Sequence, residues 1–301
     1  MNFLLLSRRA PRSLYDVVSE DSAAVVIRSY SSSFGLASRL LAEPVRTQVR
    51  NVYALVRIAD EIVDAPDPAL GPEPRGRMLT WLYDDVRHAL ENGHSANPVV
   101  HAFARTALGC GIGDEIIEPF FASMATDLET TVHTRESIDR YIYGSAEVVG
   151  LMCLRVFLAD AGAAGAAQTP GARARQFDRL APGARRLGAA FQKLNFLRDL
   201  AEDYDALGRL YLPDVDVHRF CDADRDRILD DISTDLDAAG TVIPELPASS
   251  RRAVRVAHST FAELAARLRA TPAADIRLTR VRVPDPVKLR LVAGALYGGR
   301  S

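Results

Sequence analysis

The segment Asn51–Asp64, NVYALVRIADEIVD, places the strongest constraint on what this chain can fold into. Read as a helix, it is apolar around most of its circumference, and a helix of that kind is buried in a protein core. It nevertheless carries Asp60 and Asp64, four residues apart, with Arg57 one turn before them. Residues four apart share a helix face, and buried carboxylates need a partner or a metal ion. The segment therefore predicts a central helix that brings two carboxylates into the interior.

A second stripe of polar side chains lies in residues 191–213, FQKLNFLRDLAEDYDALGRLYLP. Asn195, Asp199 and Asp203 recur every four residues, so on a helix they lie along one face. Taken alone, such a stripe is more typical of a solvated helix surface. Together with the stripe on the first helix, it predicts a cage of hard oxygen ligands of the kind that Mg²⁺ or Mn²⁺ prefers. Arg198, like the arginine of the first stripe, suggests that the other ligand is an anion such as diphosphate.

Helical periodicity continues through nearly every other segment, and no sustained alternation of period two indicates a strand. The predicted helices cover residues 14–27, 45–64, 78–91, 99–110, 119–130, 134–159, 183–206, 225–236, 249–269 and 286–296. Residues 1–12 are expected to form a flexible arm, residues 66–76 a loop and residues 161–173 a surface connection. The pattern predicts one all-α domain over residues 13–301.

Composition and motifs exclude several classes of function. The net charge of −2 provides no basic field for nucleic acid. The 3 cysteines are odd in number and lack CxxC spacing, which suits a reducing cytoplasm rather than a disulfide framework. No apolar run reaches the length of a transmembrane span, which leaves peripheral contact with a membrane open. No Walker or GxGxxG motif is present, so no nucleotide cofactor is indicated, and the oligomeric state is undetermined.

Two further clusters each allow two interpretations. Ser31 and Ser33, just before Phe34, are typical of a helix N-cap, but hydroxyls and free N–H groups at a helix start also receive phosphate. Small residues follow Tyr141 over positions 144–150. They are typical of close helix packing, and they also leave room for a long apolar ligand.

These motifs together resemble the squalene/phytoene synthase family, the head-to-head members of the all-α isoprenoid synthases. The resemblance runs from about Tyr30 to Lys288 and depends on five separated motifs in the same order. The motifs are S-x-S-F at Ser31 and Ser33; Y-x-x-x-R-x-x-D-x-x-x-D at Tyr53, Arg57, Asp60 and Asp64; a tyrosine helix at Tyr141; Q-x-x-N-x-x-R-D-x-x-x-D at Gln192, Asn195, Arg198, Asp199 and Asp203; and G-R-x-Y-x-P from Gly208 to Pro213.

The resemblance implies a single-domain bundle of helices around a central apolar cavity. It also implies a prenyltransferase that joins two prenyl diphosphates head to head (1′–1) through a cyclopropylcarbinyl diphosphate. Phytoene from two geranylgeranyl diphosphates is the leading product. Squalene, dehydrosqualene or presqualene diphosphate from farnesyl diphosphate are alternatives. A non-catalytic prenyl-binding or assembly factor is the alternative from another class of function.

The same resemblance implies a role for each matching residue. The implied ligands of Mg²⁺ are Asp60, Asp64, Asn195, Asp199 and Asp203. The implied diphosphate contacts are Ser31, Ser33, Tyr53, Arg57, Gln192, Arg198 and Arg209. The implied catalytic groups are the four aspartates and Tyr141. Glu147 departs from the family pattern, which has glycine there, and is expected to narrow the prenyl channel or to add a charge.

Overall fold

Helices make up nearly all of the secondary structure in the computed structural model, which describes residues 12–31, 33–64, 70–161 and 169–297. Within those ranges there is no strand, and a single isolated bridge pairs Val132 with Leu210. The predicted all-α class is therefore confirmed. Residues 1–11 of the predicted arm lie outside the described part of the chain.

The described residues form fourteen α-helices. In chain order they are α1 Leu14–Tyr30, α2 Ser33–Ser38, α3 Val45–Asp64, α4 Pro72–Asn92, α5 Pro98–Cys110, α6 Asp114–Thr126, α7 Arg135–Ile142, α8 Val148–Ala161, α9 Pro170–Arg198, α10 Leu200–Leu207, α11 Asp222–Val242, α12 Ala248–Ala270, α13 Ala273–Ile276 and α14 Asp285–Tyr297. A π-helical segment, Tyr143–Glu147, joins α7 to α8 without a break in direction.

Local sequence explains most of the helix starts. Ser13 and Thr134 form capping boxes at α1 and α7, and Asn97 and Thr169 cap α5 and α9 through their side chains. At the end of α10, Gly208 adopts a φ of 65°, which a residue with a Cβ atom adopts only under strain. This turn explains the glycine of the G-R-x-Y-x-P motif.

Several predicted boundaries were wrong. The predicted loop 66–76 ends early, because Pro72 starts α4 at a position where a missing N–H does no harm. The predicted surface connection 161–173 likewise gives way to α9, which begins at Pro170 and not at residue 183. Helix α6 starts at Asp114, before the predicted residue 119, and accommodates Pro119 within it. Three helices begin at a proline, at Pro72, Pro98 and Pro170, because the first helical position needs no N–H donor.

Helix α3 lies at the centre of the molecule, as predicted. It packs against α1, α4, α5 and α8. Five of its apolar side chains are at most 1% exposed: Val52, Ala54, Leu55, Ala59 and Val63. Helix α9, the longest at 29 residues, packs against α8, α11 and the π-helical segment. Helix α3 thus carries the first acidic stripe, and the second begins on α9 and continues onto α10.

Small residues let the backbones of α8 and α9 approach closely. A Cβ atom built on Gly150 would lie 2.5 Å from the carbonyl oxygen of Ala184, and one on Gly188 would lie 2.5 Å from the carbonyl oxygen of Ala146. Real Cβ contacts do not come this close, so only glycine fits at either position. The close-packing interpretation of the small residues after Tyr141 is therefore correct.

One stretch, Arg135–Asp160, is long and apolar enough to cross a membrane by length and composition. Its most apolar window has a mean hydropathy of 1.6, and 56% of that window is buried inside the protein. A core helix of a soluble protein passes the same test, so the stretch is weak evidence for a membrane span. The structure is compatible with a soluble or a peripheral protein.

Candidate active site

The two acidic stripes converge where α3 ends and α10 begins. Arg209 joins them: its Nη1 lies 2.5 Å from Asp64 Oδ1, and its backbone N–H donates to the carbonyl oxygen of Asp203 at 2.9 Å. The Asp64 side chain and the Asp203 backbone therefore bind the same arginine. The ends of the two predicted stripes meet at Arg209.

The second stripe crosses a kink that the spacing did not predict. The predicted helix 183–206 is interrupted at Asp199, whose φ of −101° and ψ of 10° separate α9 from α10. The stripe survives because the hydrogen bonds on either side are kept. The Asp199 N–H donates to Asn195 O at 2.8 Å, and the Asp203 N–H donates to Asp199 O at 2.9 Å.

Arginines pair with three of these carboxylates. Arg57 Nη1 lies 2.7 Å from Asp60 Oδ2, and its other terminal nitrogen pairs with Glu61. Two arginines share Asp199: Arg198 donates to its oxygens at 2.5 and 2.8 Å, and Arg280 Nε lies 2.9 Å from its Oδ1. With the Arg209–Asp64 pair, guanidinium groups surround the acidic cluster on several sides.

Negative charge nevertheless remains in excess inside the cluster. Burial and the charge of Asp64 raise the pKa of Asp60 well above the usual range of a carboxyl group. Burial and the charge of Asp199 raise the pKa of Asp203 to about 7. Carboxylates held in this way gain from a nearby divalent cation. In the described part of the chain, however, no three acidic, histidine or cysteine side chains are arranged to hold a metal ion by themselves.

An apolar cavity of about 310 Å³ opens beside the acidic cluster. Its polar lining includes Tyr53, Gln192 and Asn195, and its apolar lining includes Phe157 and Leu180. The lining on one side follows the chain from Ser145 to Phe157, a rise of about 18 Å along a helix. The cavity therefore extends from the charged cluster into the core as a long apolar channel.

Comparison with known proteins identifies the family. The family model described as squalene/phytoene synthase matches residues 27–286, most of the chain. The chain belongs to the squalene/phytoene synthase family. Among solved structures, a dehydrosqualene synthase in complex with ligand matches with a TM-score of 0.75 and 20% identity over 93% of this chain and 96% of that one. Squalene synthase HpnC from Alicyclobacillus acidocaldarius matches with a TM-score of 0.70 and 19% identity over 86% and 96%. Both share the all-α isoprenoid synthase fold.

Relatives of known name match more closely in sequence but over less of their length. A phytoene synthase of Pseudescherichia vulneris is 30% identical over 199 residues, 64% of this chain and 59% of the relative. A presqualene diphosphate synthase of Rhodopseudomonas palustris is 29% identical over 190 residues, 62% of this chain and 60% of the relative. The chain spans about six tenths of the length of these relatives.

The first of the family motifs, S-x-S-F, lies beside the first acidic stripe. Ser31 Oγ accepts a hydrogen bond from the backbone N–H of Gly35 at 3.1 Å, so it satisfies one of the free N–H groups at the start of α2. It also bonds to the side chain of Tyr53, which is partly buried, and burial raises the pKa of that phenol. The side chains of Ser33 and Phe34 lie outside the described part of the structure, so the phosphate-binding interpretation of this motif stays a prediction.

Two other sequence-predicted residues occupy places that their motifs did not indicate. Tyr141 is 5% exposed, donates to Asp127 Oδ2 at 2.6 Å and is not among the residues that line the apolar cavity. Its assignment to the catalytic groups stays a prediction. Glu147 pairs with Arg185 at 2.6 Å and does not line the cavity either. Its charge is therefore directed to an ion pair outside the channel.

Sequence reasoning did not identify a second, polar cavity of about 560 Å³ beyond the acidic cluster. Its basic side chains are Arg198, Arg280, Arg282 and Lys288. The ring of Phe261, in its wall, stacks on Phe191, in the wall of the apolar channel, with 3.6 Å between ring centres. Arg280 and Arg282 lie between α13 and α14, and in a chain whose basic residues are nearly all arginine they carried no distinguishing signal.

Proposed function

We propose that this protein is a prenyltransferase that joins two prenyl diphosphates head to head, with phytoene from two geranylgeranyl diphosphates as its product. The observation that carries the proposal is the meeting of two acidic helix ends, surrounded by arginines, at the mouth of an apolar channel. The family match and the phytoene synthases among the relatives support the same reaction. The farnesyl-derived products of other family members are the alternative outcomes of the assay below.

The donor set fits Mg²⁺. Carboxylate and amide oxygens are its preferred ligands, and the raised pKa of Asp203 marks negative charge that a divalent cation would neutralise. The residues that would hold the metal are Asp60, Asp64, Asn195, Asp199 and Asp203. When bound, the metal supplies Lewis acidity that stabilises diphosphate as a leaving group.

The arginines of the site would exchange partners when substrate binds. Arg57, Arg198, Arg209 and Arg280 pair with carboxylates in the structure. An incoming diphosphate offers these guanidinium groups a stronger acceptor with matching geometry. As they turn to the diphosphate, the carboxylates become free for the cation. The ion pairs thus hold each group close to the place where it is needed.

The channel walls would hold the prenyl chain and keep water away from the reacting carbons. In the first step, the C1–O bond of one substrate breaks and diphosphate leaves with the electron pair. The C2–C3 double bond of the other substrate attacks C1, and loss of a proton closes the cyclopropane ring. In the second step, the remaining diphosphate leaves, the ring opens, and loss of another proton yields the hydrocarbon. An apolar lining from Val149 to Phe157 excludes the water that would trap these cations.

Incubation with Mg²⁺ and either farnesyl or geranylgeranyl diphosphate tests the proposal. Extraction and mass analysis of hydrocarbons are expected to show phytoene from the longer substrate, with release of inorganic diphosphate. A C30 product from farnesyl diphosphate alone would replace the substrate assignment and keep the reaction. Binding without any diphosphate release would favour the prenyl-binding factor and contradict the proposed enzyme.

A further inference from the structure

Asp127 is a buried carboxylate that none of the sequence motifs includes. It directly follows α6 and is 7% exposed. Both of its oxygens accept hydrogen bonds from tyrosines: Tyr141 Oη donates to Oδ2 at 2.6 Å, and Tyr211 Oη donates to Oδ1 at 2.8 Å. Within the described residues, no arginine or lysine forms a salt bridge with it.

One of the two tyrosines connects Asp127 to the acidic cluster. Arg209 Nη1 donates to Tyr211 Oη at 3.3 Å and also pairs with Asp64. Its Nη2 donates to the backbone carbonyl oxygen of Val63 at 3.0 Å. The guanidinium group is therefore held by three partners, and the Tyr211 hydroxyl that supports it is itself oriented by Asp127.

Tyr141, the other tyrosine, also donates a hydrogen bond to Asp127, and it is not among the described hydrogen-bond partners of Arg209. Tyr141 packs against Tyr211 with ring centres 5.2 Å apart, and Phe196 stacks on Tyr211 at 4.5 Å. The His133 ring stacks on Tyr211 from another direction at 5.5 Å. The rings are confined on several sides, so their hydroxyls point at Asp127 by packing as well as by hydrogen bonding.

An ionised carboxylate at the position of Asp127 is energetically unfavourable. It lies at the C-terminal end of a helix, where the helix dipole disfavours negative charge, and it is buried without a direct cation. Burial raises the pKa of Asp127 to about 6, although the charge of Arg209 opposes the rise. An apolar residue would avoid these penalties but would leave the two buried tyrosine hydroxyls without an acceptor. Asp127 therefore fixes where both hydroxyls lie.

We propose that Asp127 is a positioning residue: its carboxylate orients the Tyr211 hydroxyl, which in turn fixes the Arg209 guanidinium beside Asp64 for binding of a magnesium diphosphate. This inference rests on the proposed function, and it identifies the residues that hold the Arg209 guanidinium group in place for the diphosphate. The ligand class is a diphosphate group with its divalent cation. Asp127 itself touches neither.

Calorimetric titration of the full chain with inorganic diphosphate in the presence of Mg²⁺ tests this inference without any need for turnover. Asp127→Ala and Tyr211→Phe are each expected to weaken binding about tenfold, the effect of one hydrogen bond to a charged group. Tyr141→Phe is the comparison variant: it removes the other hydrogen bond to Asp127 and a side-chain hydrogen bond to Tyr211, but it keeps the Tyr211 hydroxyl that contacts Arg209. It is expected to bind more tightly than Tyr211→Phe.

Two more variants separate positioning from a general loss of structure. Asp127→Asn keeps one acceptor oxygen and is expected to bind more tightly than Asp127→Ala. The double variant Asp127→Ala with Tyr211→Phe is expected to bind no more weakly than either single variant, because both changes break the same chain of contacts. Circular dichroism establishes folding, and the near-isosteric Tyr211→Phe still decides the question if Asp127→Ala does not fold.

Equal affinity of wild type and Tyr211→Phe would overturn the positioning role, as would a Tyr141→Phe variant that binds as weakly as Tyr211→Phe. Failure of the wild-type protein to bind diphosphate with Mg²⁺ would instead overturn the proposed site itself. The wild-type titration comes first and therefore distinguishes the two failures.

Discussion

Replacing Gly188 by alanine tests the packing that shapes the channel. The added methyl group would lie 2.5 Å from the Ala146 carbonyl oxygen, 2.9 Å from the Ala146 carbonyl carbon and 3.1 Å from Glu147 Cα. All three neighbours are backbone atoms and cannot rotate away. Because non-bonded carbon atoms prefer about 3.5–4.0 Å, α9 and the π-helical segment must separate by about 1 Å.

The expected change in the free energy of unfolding follows from two opposing effects. Overpacking of this kind destabilises by about 1–3 kcal/mol, whereas replacing glycine by alanine inside a helix stabilises by about 0.5–1 kcal/mol. Gly188→Ala should therefore lose about 1–2 kcal/mol. The matched control is Gly109→Ala on α5, where nothing lies within 4 Å of the added methyl group. The control should be neutral or slightly stabilised.

Urea denaturation of both variants, with the m-value compared to wild type, measures this difference. The same displacement moves Gln192 and Asn195, which lie one and two turns further along α9. A shift of about 1 Å in a catalytic group can lower a rate about 100-fold, so turnover should fall as well. Equal unfolding midpoints for Gly188→Ala and Gly109→Ala would refute the close approach of the two helices.

Three further changes test the site and its support. Asp60→Asn and Asp199→Asn should each reduce turnover below about a tenth of the wild-type rate in a folded protein, because an oriented charged ligand stabilises the transition state by several kcal/mol. Product assays measure the turnover, and circular dichroism measures the folding. Arg280→Met should weaken calorimetric binding of magnesium diphosphate about tenfold, since it removes a cation that lies 2.9 Å from Asp199. Asp16→Asn should lower the free energy of unfolding at pH 7 by about 2 kcal/mol: burial raises the pKa of Asp16, but the hydrogen bond from His101 contributes to a net fall to about 2. A lowered carboxyl pKa stabilises above about pH 4, and this stabilisation disappears as the pH falls to about 2.

Each of these predictions has a contrary outcome. Asp60→Asn activity above a tenth of the wild-type rate would contradict the ligand assignment. Unchanged diphosphate affinity in Arg280→Met would remove that arginine from the site. A stability difference between Asp16→Asn and wild type that persists below pH 2 would show that the ionised carboxylate is not its source.

The parts of the site that could be predicted are those encoded by short spacing. Asp60 and Asp64 lie on one turn-to-turn stripe, and any helix over that segment brings them together. The same holds for Asn195 and Asp199, whose relation survives the kink because the hydrogen bond between their backbones is kept. Apolar periodicity around α3 likewise predicted its central position.

The parts that could not be predicted depend on contacts between distant segments. Asp127 reaches Tyr211 across 84 positions, and Arg280 reaches Asp199 across 81. Neither has a local pattern, because a single aspartate after a helix and a single arginine in a loop are ordinary features. The start of α9 at Pro170 was also hidden, since proline both begins helices and breaks them.

The ion pairs between arginines and Asp60, Asp64 and Asp199 also couple the binding of Mg²⁺ to the binding of diphosphate. A magnesium ion alone would have to displace guanidinium groups and leave them without counter-charges. Diphosphate alone would draw those groups away and leave bare carboxylates close together. When both bind, diphosphate contacts the released guanidinium groups and Mg²⁺ contacts the released carboxylates. Each ion therefore raises the affinity of the protein for the other by the same factor. Under the proposed function, the site would bind Mg²⁺ or diphosphate only weakly when either is alone and would bind both tightly when they are present together.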